Sequence, residues 1–371
     1  MNSRIFLASV IFLFTFLSLP LSADQTSDEL YDRIYGEAVE NLKNGNAEQR
    51  IMAAYILGGQ RKEAYVRPLS RELLKGLDNK NLRKTTTHGP YVKSQIAWAL
   101  GRVGHIQAMP SLVRALDLTI KIIEEDISET SKKRDELKQQ NLNYPVILDR
   151  NKPGPTHLKK GHRFPDSPDI YWSLGEDFKS TMGANPDSID DRVKLQGYNY
   201  VNVALSIIDA IGEISMLNKH QIPPGSAGVP LKKKLDESRD LLIKLLSHNL
   251  SYIRGGASLA LGQIGDKETM DILEKKFEEE KEMAVKTQIA RSILWNDRTR
   301  SKVTNTLLEM LTSDEFEVRM EASRALRDVG LGETLTYLLA ALDIEEDKRL
   351  QRILKDAIFN AQIDNVMPVN Y

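Results

Sequence analysis

Residues 252–266 read YIRGGASLALGQIGD, and this glycine-rich stretch decides the fold. Four glycines within eleven positions are also typical of a phosphate-binding loop. Such a loop follows a strand and, in the P-loop form, carries a Lys-Ser/Thr pair, whereas this stretch has helical apolar spacing and lacks that pair. The pattern therefore favours a helix closed by Gly262 and Gly265, with Gly255 and Gly256 allowing close contact between neighbouring helices.

The same pattern recurs at residues 91–105 and 317–331. Each copy has an apolar–basic pair, a leucine eight residues after the apolar member, and a glycine four residues later. Weaker copies share this register. The leucine position, called the key position below, is occupied by Leu57, Leu100, Ile211, Leu261, Ile293, Leu326 and Ile358. The last four are separated by 32, 33 and 32 residues, and a fixed period of this length indicates a repeat architecture.

A second amphipathic run follows each glycine turn, for example at residues 106–116, 267–277 and 332–342. Its apolar residues recur at i, i+3, i+4 and i+7, which is helical spacing. Each unit is therefore predicted to be a helix, a short turn and a second helix. Thr312 and Glu315 have the spacing of a capping box and predict a helix start before Phe316.

The VRxxAAxALGxIGD pattern of these stretches resembles HEAT repeats, in particular the short bacterial HEAT-like repeats first associated with phycobilisome lyases. The resemblance covers roughly residues 45–120 and 200–362. It implies an all-α solenoid of about six or seven helical hairpins, with the second helices lining the concave side. It implies no particular chemistry, because one fold supports many functions.

A basic residue follows the first apolar residue in five of the copies. These residues are Arg50, Lys93, Arg254, Lys286 and Arg319. They form either a ligand-binding ladder or a structural ladder that pairs with acidic or backbone groups. Recurrence at a register set by the fold favours the structural interpretation.

The repeat pattern is interrupted between two blocks, residues 24–140 and 199–371. A long helix from 111 to about 140 is predicted to lead into an insertion, 141–198, which holds six of the fourteen prolines. A long irregular loop in a compact solenoid is usually functional or disordered, and the aromatic content argues against pure disorder. Its candidate partner-binding residues are His162, Phe164, Tyr171 and Trp172. The aromatic residues could equally anchor the insertion onto the solenoid.

The chain offers no convincing catalytic or metal-binding set. It has no cysteine, no Gly-x-Ser-x-Gly elbow, and no His-Glu dipeptide of the kind that binds iron in HEAT-repeat deoxyhypusine hydroxylases. His157 and His162 lie near Asp166 and Asp169, but their spacing matches no dense zinc signature. We therefore expect no catalytic residue, no metal and no cofactor.

Residues 1–23 are predicted to be a cleavable secretory signal peptide. Arg4 precedes an apolar run from Ile5 to Leu19, and cleavage is expected after Ala23. An uncleaved membrane anchor is the alternative, although the run is short for a full span. Without cysteine the chain cannot be a lipoprotein. We expect a periplasmic or secreted protein with no integral membrane span after cleavage.

Composition further limits the function. The 51 basic and 52 acidic residues are nearly balanced, which disfavours a nucleic-acid binder. We expect a non-enzymatic scaffold or assembly factor that binds another envelope or secreted protein through the solenoid surface and the 141–198 insertion. The alternative is an exported small-molecule or glycan binder, possibly catalytic, with its site in the insertion, where Trp172, Glu176 and Asp177 lie close in sequence.

Overall fold

A computed structural model describes residues 27–83, 85–139, 189–223, 226 and 228–366, and these residues contain α-helices and short 3-10 turns but no strand. The helices of these ranges are α1 (Ser27–Asn44), α2 (Ala47–Gly59), α3 (Val66–Leu74), α4 (Lys80–Arg83), α5 (Pro90–Val103), α6 (Met109–Gln139), α7 (Ile189–Asn218), α8 (Val229–Leu245), α9 (Ser251–Ile264), α10 (Lys267–Glu279), α11 (Met283–Asn296), α12 (Ser301–Met310), α13 (Phe316–Val329), α14 (Leu335–Ile344) and α15 (Lys348–Val366).

The helices form two layers. The helices that carry the key position, here called motif helices, stack directly on one another in the order α2, α5, α7, α9, α11, α13 and α15. Each except α15 is followed by a second helix on the other side of the stack, these being α3, α6, α8, α10, α12 and α14. The key positions form the centre of the core, since Leu57, Leu100, Ile211, Leu261 and Leu326 are fully buried. The predicted all-α solenoid of helical hairpins is confirmed.

Glycine ends the motif helices where the repeat pattern is strongest. Gly104, Gly265 and Gly330 have φ of 71°, 62° and 64°, the left-handed conformation that closes a helix. Gly265 is therefore a helix cap, as predicted. Gly262 is not, because it lies inside α9 and packs against Ser292 of the next motif helix.

Small residues bring neighbouring motif helices close together. At four successive interfaces, the glycine just after the key position contacts the small residue just before the next key position. The pairs are Gly58 with Ala99, Gly101 with Ala210, Gly212 with Ala260, and Gly262 with Ser292. Successive second helices of the C-terminal block contact one another much less. The layer with the closer spacing forms the inner side of a curved stack, so the motif helices line the concave side. The expectation that the second helices do so is wrong.

Two local features differ from the simple repeat. The longer step of 43 residues between the first two key positions accommodates α4 and a 3-10 turn at Thr86–His88. The capping box predicted before α13 does not form, because Glu315 is the N-cap residue and its side chain makes no cap hydrogen bond. A complete capping box occurs instead on α2, between Asn46 and Gln49.

Helices α6 and α7 are the longest of the described helices, with 31 and 30 residues. They pack along each other, and the predicted insertion connects them. The long helix predicted from 111 to about 140 corresponds to α6, whereas α7 begins at Ile189, within the sequence assigned to the insertion. Among the described helices, residues 200–218 are long and apolar enough to cross a membrane, but 72% of that segment is buried in the protein, which is typical of a core helix.

Candidate binding surface

Two of the recurring basic residues, Arg254 and Arg319, connect the two ends of their hairpins. In the hairpin α9–α10, the Arg254 Nε lies 2.8 Å from a carboxylate oxygen of Glu280, and the same guanidinium donates to the His248 carbonyl. The hairpin α13–α14 has equivalent contacts. The Arg319 Nε lies 2.9 Å from a carboxylate oxygen of Glu345, and the same guanidinium donates to the Ser313 carbonyl. In each case one edge of the guanidinium binds the carboxylate at the end of the hairpin, and the other edge binds a carbonyl of the loop before it.

The basic residues of the two N-terminal copies converge on Glu72, Arg50 on its carboxylate and Lys93 on its backbone carbonyl. Arg50 donates to Glu72 at 3.0 Å, and the fully buried Lys93 ammonium donates to the carbonyls of Glu72 and Lys75. Burial lowers the pKa of Lys93 to about 7, with the Glu72 carboxylate opposing that shift. Burial, and then the charge of Lys93, lower the pKa of His88 to about 4. Arg50, Lys93, Arg254 and Arg319 therefore pair as the structural interpretation predicts. The fifth residue, Lys286, instead places its ammonium 5.0 Å from the ring centre of Phe277.

Another set of side chains lies on the exposed side of the motif helices. Residues two before and two after the key position are four apart, so they share one helix face. We call this surface the inner face. It comprises Tyr55, Trp98, Arg102, Asp209, Glu213, Gln263, Arg291, Trp295 and Asp328.

An aromatic stack occupies the N-terminal part of the inner face. The rings of Tyr55 on α2 and Trp98 on α5 are 5.5 Å apart and inclined by only 3°. The guanidinium of Arg102, one turn beyond Trp98, lies 5.9 Å from the indole ring centre. Tyr55 is 49% exposed, so this stack presents aromatic surface to solvent.

Two carboxyl groups follow on α7. Burial, and then the neighbouring Glu213 charge, raise the pKa of Asp209 to about 7, while a hydrogen bond with Gln263 opposes the shift. Burial also raises the pKa of Glu213, and the charges of Arg102 and Arg61 oppose that shift. Both side chains remain partly exposed. They therefore form an acidic site that prefers to hold a proton or to meet a positive charge.

The inner face continues on α11 and α13 with paired charges. The Arg291 guanidinium lies 2.8 Å from the Asp328 carboxylate and 4.6 Å from the ring centre of Trp295. The Trp295 indole N–H donates to the Asp328 carbonyl at 3.4 Å, while the ring remains 41% exposed. This second aromatic group is therefore held in place by its neighbours yet open to a partner.

The composition of the inner face suits protein recognition. Trp, Tyr and Arg are the residue types that most often contribute strongly to protein–protein binding. Stacked aromatic rings offer apolar area at little loss of side-chain entropy, because their neighbours already hold them. Within the described ranges, no group of three or more His, Asp and Glu is placed to hold a metal ion.

The sequence-predicted site residues lie elsewhere. His162, Phe164, Tyr171 and Trp172 all fall outside the residues that the structure describes, as do Glu176 and Asp177 of the alternative site. The inner-face residues were not singled out from the sequence. They could have been found from their position in the repeat, because each lies two residues before or two residues after a key position.

Comparisons with known proteins agree with the repeat. The family model described as PBS lyase HEAT-like repeat matches residues 92–117, which span α5 and the beginning of α6. The resemblance to HEAT-like repeats is confirmed for that unit. No curated protein matches the sequence.

Similar solved structures include the complex of CpcE and CpcF of phycocyanin lyase from Nostoc sp. PCC7120, at 16% identity and a TM-score of 0.41, covering 93% of this chain and 98% of that one. An engineered protein is 15% identical with a TM-score of 0.29, covering 89% and 96%. Human deoxyhypusine hydroxylase is 13% identical with a TM-score of 0.20, covering 96% and 99%. At these low identities and TM-scores, the three likenesses carry no functional argument.

Proposed function

We propose that this protein is a non-enzymatic scaffold that binds a segment of another protein along its inner face. The observation that carries the proposal is the exposed Tyr55–Trp98 stack beside the Asp209–Glu213 carboxyl pair. The two features lie on successive motif helices of the concave layer and are joined by Arg102, which is near both Trp98 and Glu213. A concave row of this kind suits an extended or helical partner segment.

The chemistry of the inner face defines the partner segment. The aromatic stack suits an apolar or aromatic side chain, and the two carboxyl groups suit a lysine or arginine next to it. Binding such a cation would favour the ionised form of Asp209, whose pKa is raised in the free protein. The proposed partner is therefore a protein segment with a basic residue beside an apolar one, and its binding strengthens as the pH rises through 7.

We also propose that the protein is exported after cleavage behind Ala23, and that its partner is an envelope or secreted protein. The support is the sequence of residues 1–23, with a basic start, an apolar run and a small residue at the cleavage position. Fractionation of cells that express the full chain, with N-terminal sequencing of the purified protein, tests this part. A mature chain starting at Asp24 outside the cytoplasm is expected, and a cytoplasmic chain starting at Met1 would contradict it.

Affinity capture from envelope extract with residues 24–371 as bait tests the binding surface. The variants are Trp98→Ala, which removes the aromatic stack, and Asp209→Asn with Glu213→Gln, which removes the acidic charge. Tyr337→Ala on α14 is the matched control, because Tyr337 is 58% exposed on the other layer. We expect both inner-face variants to lose the captured protein and the control to retain it. Equal capture by all variants would place the binding surface elsewhere.

A further inference from the structure

A cleft with several polar side chains in its lining opens on the side of the solenoid opposite the inner face. It has a volume of about 410 Å³ and lies between α3 and the beginning of α6, two second helices. Its polar lining comprises Glu63, Arg67, Ser70, Arg71, Gln107 and Ser111. None of these residues belongs to the buried basic ladder or to the inner face, so neither surface accounts for their arrangement.

Two arginines without an acidic partner line this cleft. Arg67 and Arg71 are four residues apart on α3, so their guanidinium groups extend from the same face and repel each other. Both are exposed, and within the described part of the chain no carboxylate lies within salt-bridge distance of either. The nearby acid, Glu63, instead faces the imidazole of His105 at 3.4 Å. An anion in the cleft would relieve the repulsion.

One residue of the cleft lining, Ser70, carries a buried hydroxyl. Ser70 lies between the two arginines in sequence and is only 8% exposed, yet its Oγ makes no hydrogen bond to any residue that the structure describes. Most buried polar groups in proteins are paired, and leaving one unpaired is unfavourable. Ser70 is one of the residues that line the cleft, although its Oγ is shielded from solvent. Rotation about its Cα–Cβ bond would turn the hydroxyl towards a bound acceptor oxygen.

A side-chain amide completes the set of donors. The Gln107 carbonyl oxygen accepts a hydrogen bond from the Lys234 ammonium at 2.6 Å. Its carbonyl end is therefore engaged, and its NH2 group can donate into the cleft. The arginines, the serine hydroxyls and this amide together offer many donors, and Glu63 is the only acid among the lining residues.

We propose that this cleft binds the phosphate group of a small ligand. Planar guanidinium groups bind phosphate oxygens in pairs, and a hydroxyl and an amide donor can reach the oxygens that remain. The volume accommodates a phosphomonoester of a small sugar or polyol as well as free phosphate. The site lies on the layer opposite the inner face and does not depend on the proposed partner.

Calorimetric titration of residues 24–371 with inorganic phosphate at pH 8, in low salt, tests the site, and glycerol 3-phosphate distinguishes an ester from the free ion. We expect saturable binding that falls tenfold or more in Arg67→Gln with Arg71→Gln, because both guanidinium–phosphate contacts are lost. Arg114→Gln is the matched control, because Arg114 is exposed on α6 outside the cleft. Tighter binding of the ester identifies the ligand as a phosphomonoester, and equal or weaker binding identifies it as free phosphate.

Ser70→Ala separates ligand binding from a structural role. Removing an unpaired buried hydroxyl should leave the melting temperature without phosphate unchanged or higher, while phosphate binding weakens several-fold. The proposal is overturned if phosphate does not bind saturably, if equimolar chloride displaces it, or if Arg114→Gln weakens binding as much as the cleft variants do. A Ser70→Ala protein that melts earlier and binds phosphate normally would also contradict it.

Discussion

Gly58 of α2 lies against the backbone of Ala99 of α5, so closely that a Cβ atom on Gly58 would be 2.9 Å from the Ala99 Cα and 3.0 Å from its Cβ. Comparable contacts recur at the next three interfaces between motif helices. Contacts this short exclude any side chain larger than hydrogen unless the helices move apart. The glycine after the key position therefore determines the spacing of the concave layer.

Replacing Gly58 with alanine should destabilise the protein. The added methyl group must displace the α5 backbone, and such overpacking lowers the free energy of unfolding by about 1–3 kcal/mol. Gly59→Ala is the matched control, because nothing lies within 4 Å of a Cβ there. In that variant the gain in helix propensity should raise the free energy of unfolding by up to about 1 kcal/mol. Urea denaturation of both variants measures the difference, and equal effects would contradict the packing argument.

The pair Arg254–Glu280 should stabilise the hairpin and have no part in binding. Arg254→Met leaves a largely buried carboxylate unpaired and should lower the free energy of unfolding by about 1–3 kcal/mol. A double-mutant cycle with Glu280→Gln should give a coupling energy of about 0.5–3 kcal/mol. Capture of the partner at a temperature well below unfolding should be unchanged. Loss of capture by a folded Arg254→Met protein would instead support a ligand-binding ladder.

The stability of the protein should depend on pH through Asp209. Its pKa is about 7 in the folded chain against 3.8 as the ordinary value, so between these values the folded state binds the extra proton. The contribution is fully present below about pH 4 and is lost as the pH rises through 7. Between pH 5 and 8, the free energy of unfolding of the unmodified protein should fall by about 1–2 kcal/mol more than that of the Asp209→Asn variant. The fall is smaller than for a fully buried carboxyl group, because Asp209 is partly exposed. Parallel pH profiles for the two proteins would show that Asp209 titrates normally.

The segment between α6 and α7 should affect partner specificity more than folding. Residues 140–188 can be replaced by a short Gly/Ser linker, which keeps both helices that pack along each other. We expect the far-ultraviolet circular dichroism per helical residue and the cooperative thermal transition to be retained, because the two repeat blocks contain the hydrophobic core that the described residues form. The captured protein should be lost or weakened. If the linker variant does not unfold cooperatively, the segment contributes to the core.

Sequence patterns predicted the helices and helix ends that depend only on residues close in sequence. Helical periodicity around Leu261 and Leu326, with a glycine four residues later, was enough to place the helices and their left-handed ends. The capping box before Phe316 was predicted incorrectly because several polar residues compete for the same backbone N–H groups, and Ser313 binds the Glu315 N–H instead. Gly262 was wrongly assigned to a turn. Its role is to let Ser292 of the next motif helix approach closely, and a local pattern cannot show a contact between residues thirty apart in sequence.

The sequence by itself determined that this chain forms repeated helical hairpins, because period, small residues and glycine ends are all local properties. It also indicated that the recurring basic residues are structural. Only the tertiary structure decided which layer is concave, since curvature follows from how closely Gly58 and its counterparts approach the next helix. In the same way, Trp98 meets Tyr55, and Asp209 meets Gln263, only when separate repeats stack, because contact between distant residues depends on packing and not on local periodicity.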